Sequence, residues 1–455
     1  MNKFDVIVIG SGSGLEVSSE AAQRGLSVAV VEEGPFGGTC LNRGCIPSKM
    51  LIHSADVMET IQRAELFGIK AKVEAVNWQF IIQRVIDEVD GDAQAVEEGN
   101  QQASNVTVFK GTGRFVGKKT LEVAGERISG ETIVIAAGTR PLVPDIPGLA
   151  EVPYITSDQA LRLPEQPRRL AIVGGGYIAA ELAHFFGTLG TEVTIIHRRP
   201  LMLREEDEDV ARRFTEVYQR RFNMLLSTQV SRAYRDGSEI VLDLSSEGKT
   251  KVVTADALLL ATGRIPNTDL LEVENTGVEV DGRGFIKTDE YLQTNVPGIW
   301  GLGDILGKYL LKHSANLEAA YAANNIFNPD HQVAVDYHAM PHAIFASPQV
   351  AGVGLTEQQA KEQDIHYATA TYDYHNTAYG SSIEDRDGFV KVLADPEGGE
   401  ILGCHIIGTD ASILLQEVVN AMRMGLSTEA ITQSIYIHPA LPEVVQRAFG
   451  ALQLG

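Results

Sequence analysis

Cysteine is nearly absent from this sequence, with three residues in 455. So few thiols exclude a disulfide framework and suit a reducing compartment. Cationic side chains are in deficit as well: 38 Lys and Arg face 60 Asp and Glu, for a net charge of −22. Phosphate recognition needs basic patches, so nucleic acid is excluded as a partner of the surface as a whole. The acidic surface favours solubility and selects no substrate. No run of eighteen apolar residues occurs, so no membrane-spanning helix is expected. The opening "MNKFDVIVIG" enters a strand-like run after four residues, which leaves no room for a signal peptide. The expected location is therefore the cytoplasm. Short-period repeats are missing too, and the length predicts two to four domains of ordinary globular composition.

What is present is one longer pattern, twice. Residues 4–33, "FDVIVIGSGSGLEVSSEAAQRGLSVAVVEE", and residues 168–199, "RRLAIVGGGYIAAELAHFFGTLGTEVTIIHRR", share one order. Each is a β-branched run, a glycine turn, an alanine-rich helical stretch and a second β-branched run. That is strand–helix–strand with a tight first turn. The first turn reads Gly10-x-Gly12 and then Gly14 and Leu15, so a leucine stands where a dinucleotide fingerprint has its third glycine. Close helix-to-strand packing is expected to tolerate a larger side chain there. The second turn reads Gly174-x-Gly176-x-x-Ala179, a permitted variant. Such glycines let backbone N–H groups approach a pyrophosphate at a helix N-terminus. One fingerprint is weak evidence; two, each framed by strands, predict two nucleotide sites.

The second strands end differently. Glu32 is placed to accept hydrogen bonds from a ribose diol. The later copy ends in His197, Arg198 and Arg199, with Arg204 close behind, a basic group that suits a 2′-phosphate and so NADPH over NADH. Two further apolar runs, "TIVIAAGTRP" (132–141) and "ALLLATGRIP" (257–266), each reach an Ala-x-Gly, at Gly138 and Gly263, and read as chain crossings between nucleotide domains. "GIWGLGDI" (298–305) is a short strand and a glycine turn that offers Asp304 to another cofactor hydroxyl. Beyond about residue 335 the fingerprints stop. Strand-like runs and helices at 411–425 and 441–452 predict a separate α+β domain ending in "YIHPALPEVV".

Two of the three cysteines, Cys40 and Cys45, lie inside "GGTCLNRGCIPSK". A zinc site needs more ligands, and Cys404, in "ILGCHIIG", reads as a core residue, so no metal is expected. As a staple, a ring of about five residues contributes only about 2 kcal/mol by loop entropy. A redox couple is the reading that remains. Positions five apart on a regular helix point about 140° apart, so the helix opening after Gly38 must be distorted, with Gly44 making that easier. Thr39 and Lys49 flank the pair, and Lys49 is placed to stabilise a thiolate or hold a flavin atom. A dithiol does not accept hydride from a nicotinamide without a flavin relay. The first nucleotide site, directly before the cysteines, is thus expected to hold FAD and the second NADPH. Thiol–disulfide exchange also needs a base; "HPALPE" offers His438, oriented by Glu443.

Together, "GGTCLNRGCIPSK", "GGGYIAAE", "LLATGRIPN", "GLGD" and "HPALPE" resemble the class I pyridine nucleotide–disulfide oxidoreductases, in the family's order and over essentially the whole chain. "YLLKHSANLEA" (309–319), "AYGSSIEDRDGFVKVL" (378–393) and "IHPALPEVV" (437–445) look most like the mycothione reductases of that family. The resemblance implies an α/β fold: two Rossmann-like βαβ domains plus a C-terminal α+β dimerisation domain. Its boundaries are residues 1–143 and 267–333 for FAD, 144–266 for NADPH and 334–455 for the interface. It implies that Cys45 faces the flavin and Cys40 attacks the substrate, and that Lys49 sits near flavin N5, paired with Glu181. Tyr177 covers the nicotinamide pocket, and Arg198 and Arg204 hold the 2′-phosphate. His438 and Glu443 serve the other subunit's site in a homodimer.

Departures narrow the substrate. Glu20 stands where glutathione reductases place a substrate-binding arginine, and no cysteine pair follows residue 404 as in mercuric reductases. The expected activity is NADPH-dependent reduction of mycothione or a related small disulfide. The alternatives are a dihydrolipoyl dehydrogenase using NAD+ and, in another class, a flavin-holding assembly protein without catalysis.

Overall fold

The computed structural model describes residues 2–246 and 248–454. Both fingerprints form the predicted units. The first runs from strand Asn2–Ile9 through helix Leu15–Gln23 to strand Val28–Glu32. The turn between strand and helix depends on Gly10, whose φ is 101° and where a Cβ would lie 2.4 Å from the Ala136 carbonyl oxygen. At Gly14 a Cβ would meet Ala136 Cβ at 2.8 Å and Val8 Cγ1 at 2.9 Å. The close helix-to-strand approach therefore falls on Gly14. Leu15, where the fingerprint would have placed it, is half-buried against an apolar cluster.

Three larger sheets carry the chain, with two smaller ones beside them. In the first, Val106–Lys110, Val28–Glu32, Asn2–Ile9 and Glu126–Ile135 lie in parallel, and an antiparallel extension from Thr120–Val123 and Arg114–Gly117 follows. Ile299–Gly301 returns late in the chain to pair in parallel with Glu126–Ile135. The second sheet is all parallel, in the order Asn223–Leu225, Glu192–Ile196, Arg169–Val173, Ala257–Leu260, Tyr154–Ile155. A three-stranded antiparallel meander, Gln229–Asp236, Glu239–Ser246 and Lys249–Ala255, packs beside it, and no motif in the sequence marked it. The chain leaves and re-enters through Thr139–Pro141 and Arg264–Pro266, which pair antiparallel as a two-stranded crossing. The third sheet, from residues 342–408, is wholly antiparallel.

One apolar core runs across these units. Leu51 and Trp78 from the helices after the cysteines meet Phe185 and Phe186 of helix Tyr177–Thr188, and Ile344 and Phe389 from the third sheet close the same cluster. Trp78 lies 5.2 Å from Phe185 and 5.5 Å from Phe186, ring to ring. Aromatic contacts of this kind add to the stabilisation from burial. This packing sets helix Cys45–Arg63 against helix Tyr177–Thr188, and the site lies along that seam. Cys404 is fully buried in the core of the third sheet, as its strand-like setting predicts. No helix among the described residues is long and apolar enough to cross a membrane.

Candidate active site

The two cysteines flank a helix break. Helix Gly38–Arg43 carries Cys40, and helix Cys45–Arg63 starts at Cys45, with Gly44 between them. A Cβ on Gly44 would lie 2.9 Å from the Thr39 carbonyl oxygen and 3.3 Å from Cys40 Cα. The distortion expected from the spacing is thus a complete interruption, and its closeness demands glycine. It brings the thiols together, Cys40 donating a hydrogen bond to Cys45. Acceptance of that bond, aided by the charge of Lys49 and opposed by burial, lowers the Cys45 pKa to about 7. The Cys40 thiol is pushed up by the same hydrogen bond, by burial and by the Cys45 charge. Of the two, Cys45 is the thiol that ionises more readily.

Lys49, one turn further on, is bidentate to Glu181, at 2.8 and 2.9 Å. Glu181, 6% exposed, also accepts from the Phe345 backbone N–H at 2.9 Å, and the Lys49 ammonium sits 4.7 Å from the centre of the Phe345 ring. Three parts of the chain meet at this ion pair.

A cavity of about 1060 Å³ contains the cysteines, Lys49 and Glu181 at one end. That is large for a ligand pocket. It continues past Thr39, Gly38 and Gly12 to Glu32, with Gly138 and Asp304 on its wall. The residues present fit FAD. A Cβ on Gly38 would come within 2.7 Å of Gly12 Cα, so both backbones are bare where a pyrophosphate has to approach. Glu32 is anchored by Ser11, whose N–H and hydroxyl donate to Oε2 at 2.8 and 2.7 Å, and by Gly34 N–H to Oε1 at 2.8 Å. Its remaining lone pairs suit ribose hydroxyls. Asp304 accepts from Thr139 Oγ1 at 3.1 Å, and burial raises its pKa. Gly10 lines the cavity, whereas Gly14 belongs to the packing behind it.

The residues predicted to bind NADPH divide. Tyr177 begins its helix and stands in the cavity wall; 41% of its surface is open, but to the cavity, and burial there raises its pKa, leaving a neutral phenol. Gly174 holds the turn, with a φ of 140°, and a Cβ on Gly176 would meet no atom within 4 Å, so its face is open to a ligand. Arg198 and Arg199 are exposed, and among the described residues Arg204 pairs only with the exposed Glu205, at 2.7 Å. Gly263 is exposed in the crossing. His197 differs from the arginines. Its ring covers Gly175, where a Cβ would lie 2.5 Å from His197 Cγ. Burial, with the neighbouring arginine charges, lowers its pKa, so it is a neutral packing residue beside the cations.

His438 Nδ1 lies 2.9 Å from Glu443 Oε1, and Glu443 Oε2 accepts the Ala440 N–H at 3.0 Å. The bond from His438 is the main cause that lowers the Glu443 pKa. His438 is 71% exposed at its side chain and does not line the cavity that holds the cysteines. Ile435 and Ile437, beside it, are 101% and 82% exposed.

Some residues escaped the sequence reading. Arg264, within the recognised "ATGRIP", donates to Thr139 Oγ1 and to the Thr139 carbonyl, both at 2.7 Å, and so orders the crossing under Asp304. His342 pairs with Glu206 at 2.8 Å on the cavity wall. Lys312, within the quoted "YLLKHSANLEA", donates to Ser13 at 2.7 Å. Asp56, Glu59 and His184 also gather closely, but Arg221 lies 3.1 Å from His184 Nδ1 and 3.5 Å from Glu59 and already supplies their positive charge.

Comparison with known proteins follows the same lines. Residues 4–325 match the family described as pyridine nucleotide-disulphide oxidoreductase, and residues 340–449 match its dimerisation domain. The chain is 39% identical to mycothione reductase of Mycobacterium tuberculosis, covering 100% of both. It is 36% identical to dihydrolipoyl dehydrogenase of Corynebacterium glutamicum, covering 98% of this chain and 97% of that one. Among solved structures, it superposes on the HOCl-induced flavoprotein disulfide reductase RclA of Escherichia coli with a TM-score of 0.87 at 28% identity, covering 98% of this chain and 99% of that one.

Proposed function

This chain belongs to the pyridine nucleotide-disulphide oxidoreductase family, and on that premise we propose that it is an FAD-dependent, NADPH-preferring reductase of a low-molecular-weight disulfide, mycothione or a related one. The observation that carries the reading is the thiol pair at Gly44, placed in one cavity with the Lys49–Glu181 ion pair and the Gly10–Gly12 turn. We assign residues 1–143 and 267–333 to FAD, 144–266 to NADPH and 334–455 to the dimer interface.

FAD, when bound, would supply a two-electron relay between the nicotinamide hydride and the disulfide. Gly10, Gly12 and Thr39 would cradle it, Glu32 and Asp304 would hold its hydroxyls, and Lys49 would neutralise charge beside Cys45. Arg198, Arg199 and Arg204 hold the 2′-phosphate of NADPH, and Tyr177 gates the nicotinamide. The Cys40 thiolate attacks one sulfur of the substrate; a Cys40–substrate disulfide forms, the substrate S–S bond breaks, and the leaving thiolate takes a proton from His438. Cys45 then attacks Cys40, re-forming their disulfide and releasing the second thiolate. Glu443 orients His438, which reaches the cysteines of the other subunit of a homodimer. This chemistry suits the reducing cytoplasm.

Cys45→Ser is expected to abolish disulfide turnover while NADPH still bleaches the flavin. Full turnover in that variant would end the proposal. A panel of mycothione, glutathione disulfide, bis-γ-glutamylcystine and lipoamide identifies the substrate. A second reading, dihydrolipoyl dehydrogenase with NAD+, is favoured by the 36% identity to such an enzyme. Three exposed arginines at the second fingerprint favour the first reading.

A further inference from the structure

We propose that the Tyr436–Glu417 pair positions the base His438, by anchoring the loop that presents it to the cysteines of the other subunit. The inference rests on the disulfide-reductase reading and adds two positioning residues to it.

His438 stands in a stretch with few ties. Residues 433–439 are exposed except for Tyr436. Among the described residues, no hydrogen bond reaches the backbone of residues 435–439. Two side chains hold the stretch instead. One is His438 itself, through Glu443 at 2.9 Å. The other is Tyr436, whose hydroxyl donates to Glu417 Oε2 at 2.7 Å and whose ring packs against the core of the third sheet. Gln446 fixes the start of the stretch, donating to the Thr432 and Ser434 carbonyls, both at 3.2 Å. Glu443 therefore orients the imidazole, while Tyr436, two residues earlier, sets where its backbone stands.

Glu417 has no other partner to serve. Its second oxygen, Oε1, is buried and bonds to nothing among the described residues. Burial raises the pKa of this carboxyl, and burial with the Glu417 bond raises that of the phenol, so Tyr436 is the donor. A carboxyl buried with one partner costs stability that a leucine there would not. A local cost of this kind marks a support for function. Glu417 belongs to helix Ala411–Arg423, whose Leu415, Gln416 and Val419 line the cavity of the cysteines. One helix thus carries a wall of this chain's site and the anchor of the base offered to the other.

The test uses the FAD-loaded full-length protein and follows two half-reactions by stopped flow. The first is bleaching of the flavin by NADPH. The second is loss of the long-wavelength absorbance of the reduced enzyme on mixing with mycothione, or with whichever disulfide of the panel reacts faster. Tyr436→Phe keeps the ring and removes the hydroxyl. It should slow the second half-reaction about five-fold and leave the first unchanged. Made in a His438→Gln chain, the same change should add no further loss. Glu417→Gln, whose amide oxygen still accepts from Tyr436, should retain most of the rate. FAD content, read by absorbance, confirms folding. An unchanged second half-reaction in Tyr436→Phe overturns the assignment. Equal slowing of both half-reactions does so too, as does a further loss in the His438→Gln chain, because Tyr436 then acts on something other than the base. If no disulfide of the panel reoxidises the wild type, the disulfide-reductase reading falls, and this assignment with it.

Discussion

Cys40 and Cys45 carry the same side chain and hold different protons. The difference comes first from the hydrogen bond between them, with the Lys49 charge adding to it at Cys45, and it predicts a pH dependence. The Cys45 pKa is lowered to about 7, so the thiolate persists above that pH and takes up a proton below it. The long-wavelength absorbance of the NADPH-reduced enzyme is therefore expected to fade as the pH drops through about 7. A band unaffected well below that pH would contradict the assignment of Cys45 as the thiolate. Arginines make a second residue-scale prediction. Charge-assisted bonds contribute about 1.5–3 kcal/mol each, so Arg198→Ala with Arg204→Ala should lower kcat/KM for NADPH at least ten-fold. The value for NADH should barely change. Steady-state kinetics with both nucleotides checks this, and an equal loss for both would show that no 2′-phosphate is read there.

At the scale of elements, the site depends on how domains dock. Helix Glu208–Arg221 is capped by Asp207, whose carboxylate accepts the Asp209 N–H. Lys391 of strand Phe389–Ala394 reaches across to it. Its ammonium, 3% exposed, contacts Asp207 at 2.9 Å, Asp209 at 2.6 Å and Glu357 at 2.6 Å. Glu357 is lowered to about 2: burial works against this, but hydrogen bonds from Lys361, Lys391 and Tyr367 prevail. Removing Lys391 would leave the fully buried Asp207 charge without its cation. Lys391→Met is expected to cost about 3–5 kcal/mol, seen as a large drop in the melting temperature of the FAD-saturated protein. A melting temperature unchanged from wild type would mean the cluster does not hold the domains. Phe345 lies on the same side of this junction, so its N–H to Glu181 should weaken with it.

At the scale of the whole molecule, the proposed function needs a second chain to complete the site. The cysteines line the central cavity, whereas His438 stands exposed elsewhere, next to bare isoleucines. That surface lies within residues 340–449, which match the family's dimerisation domain, and this supports a second copy of the chain as its cover. Mixing Cys45→Ser chains with His438→Gln chains tests the arrangement. Each variant alone should be inactive, while random mixed dimers should recover about a quarter of wild-type activity, because one site in each heterodimer is intact. No recovery would place His438 in its own chain's site.

Much of this was legible in the sequence because it is local. Glycine turns, strand–helix–strand order, Glu32 at a strand end and the five-residue spacing of His438 and Glu443 are properties of short segments. The cysteine spacing required a distorted helix, and the distortion is a break at Gly44. The Lys49–Glu181 pair spans 132 residues and was reached only through family resemblance. Tertiary structure alone decided that Gly14, not residue 15, takes the close packing, and that His197 is neutral while its neighbours stay charged. It alone placed Lys312 at Ser13, 299 residues away in the chain. The reason is physical: turns and periodicity follow from neighbours in sequence, whereas charge states and close packing follow from neighbours in space.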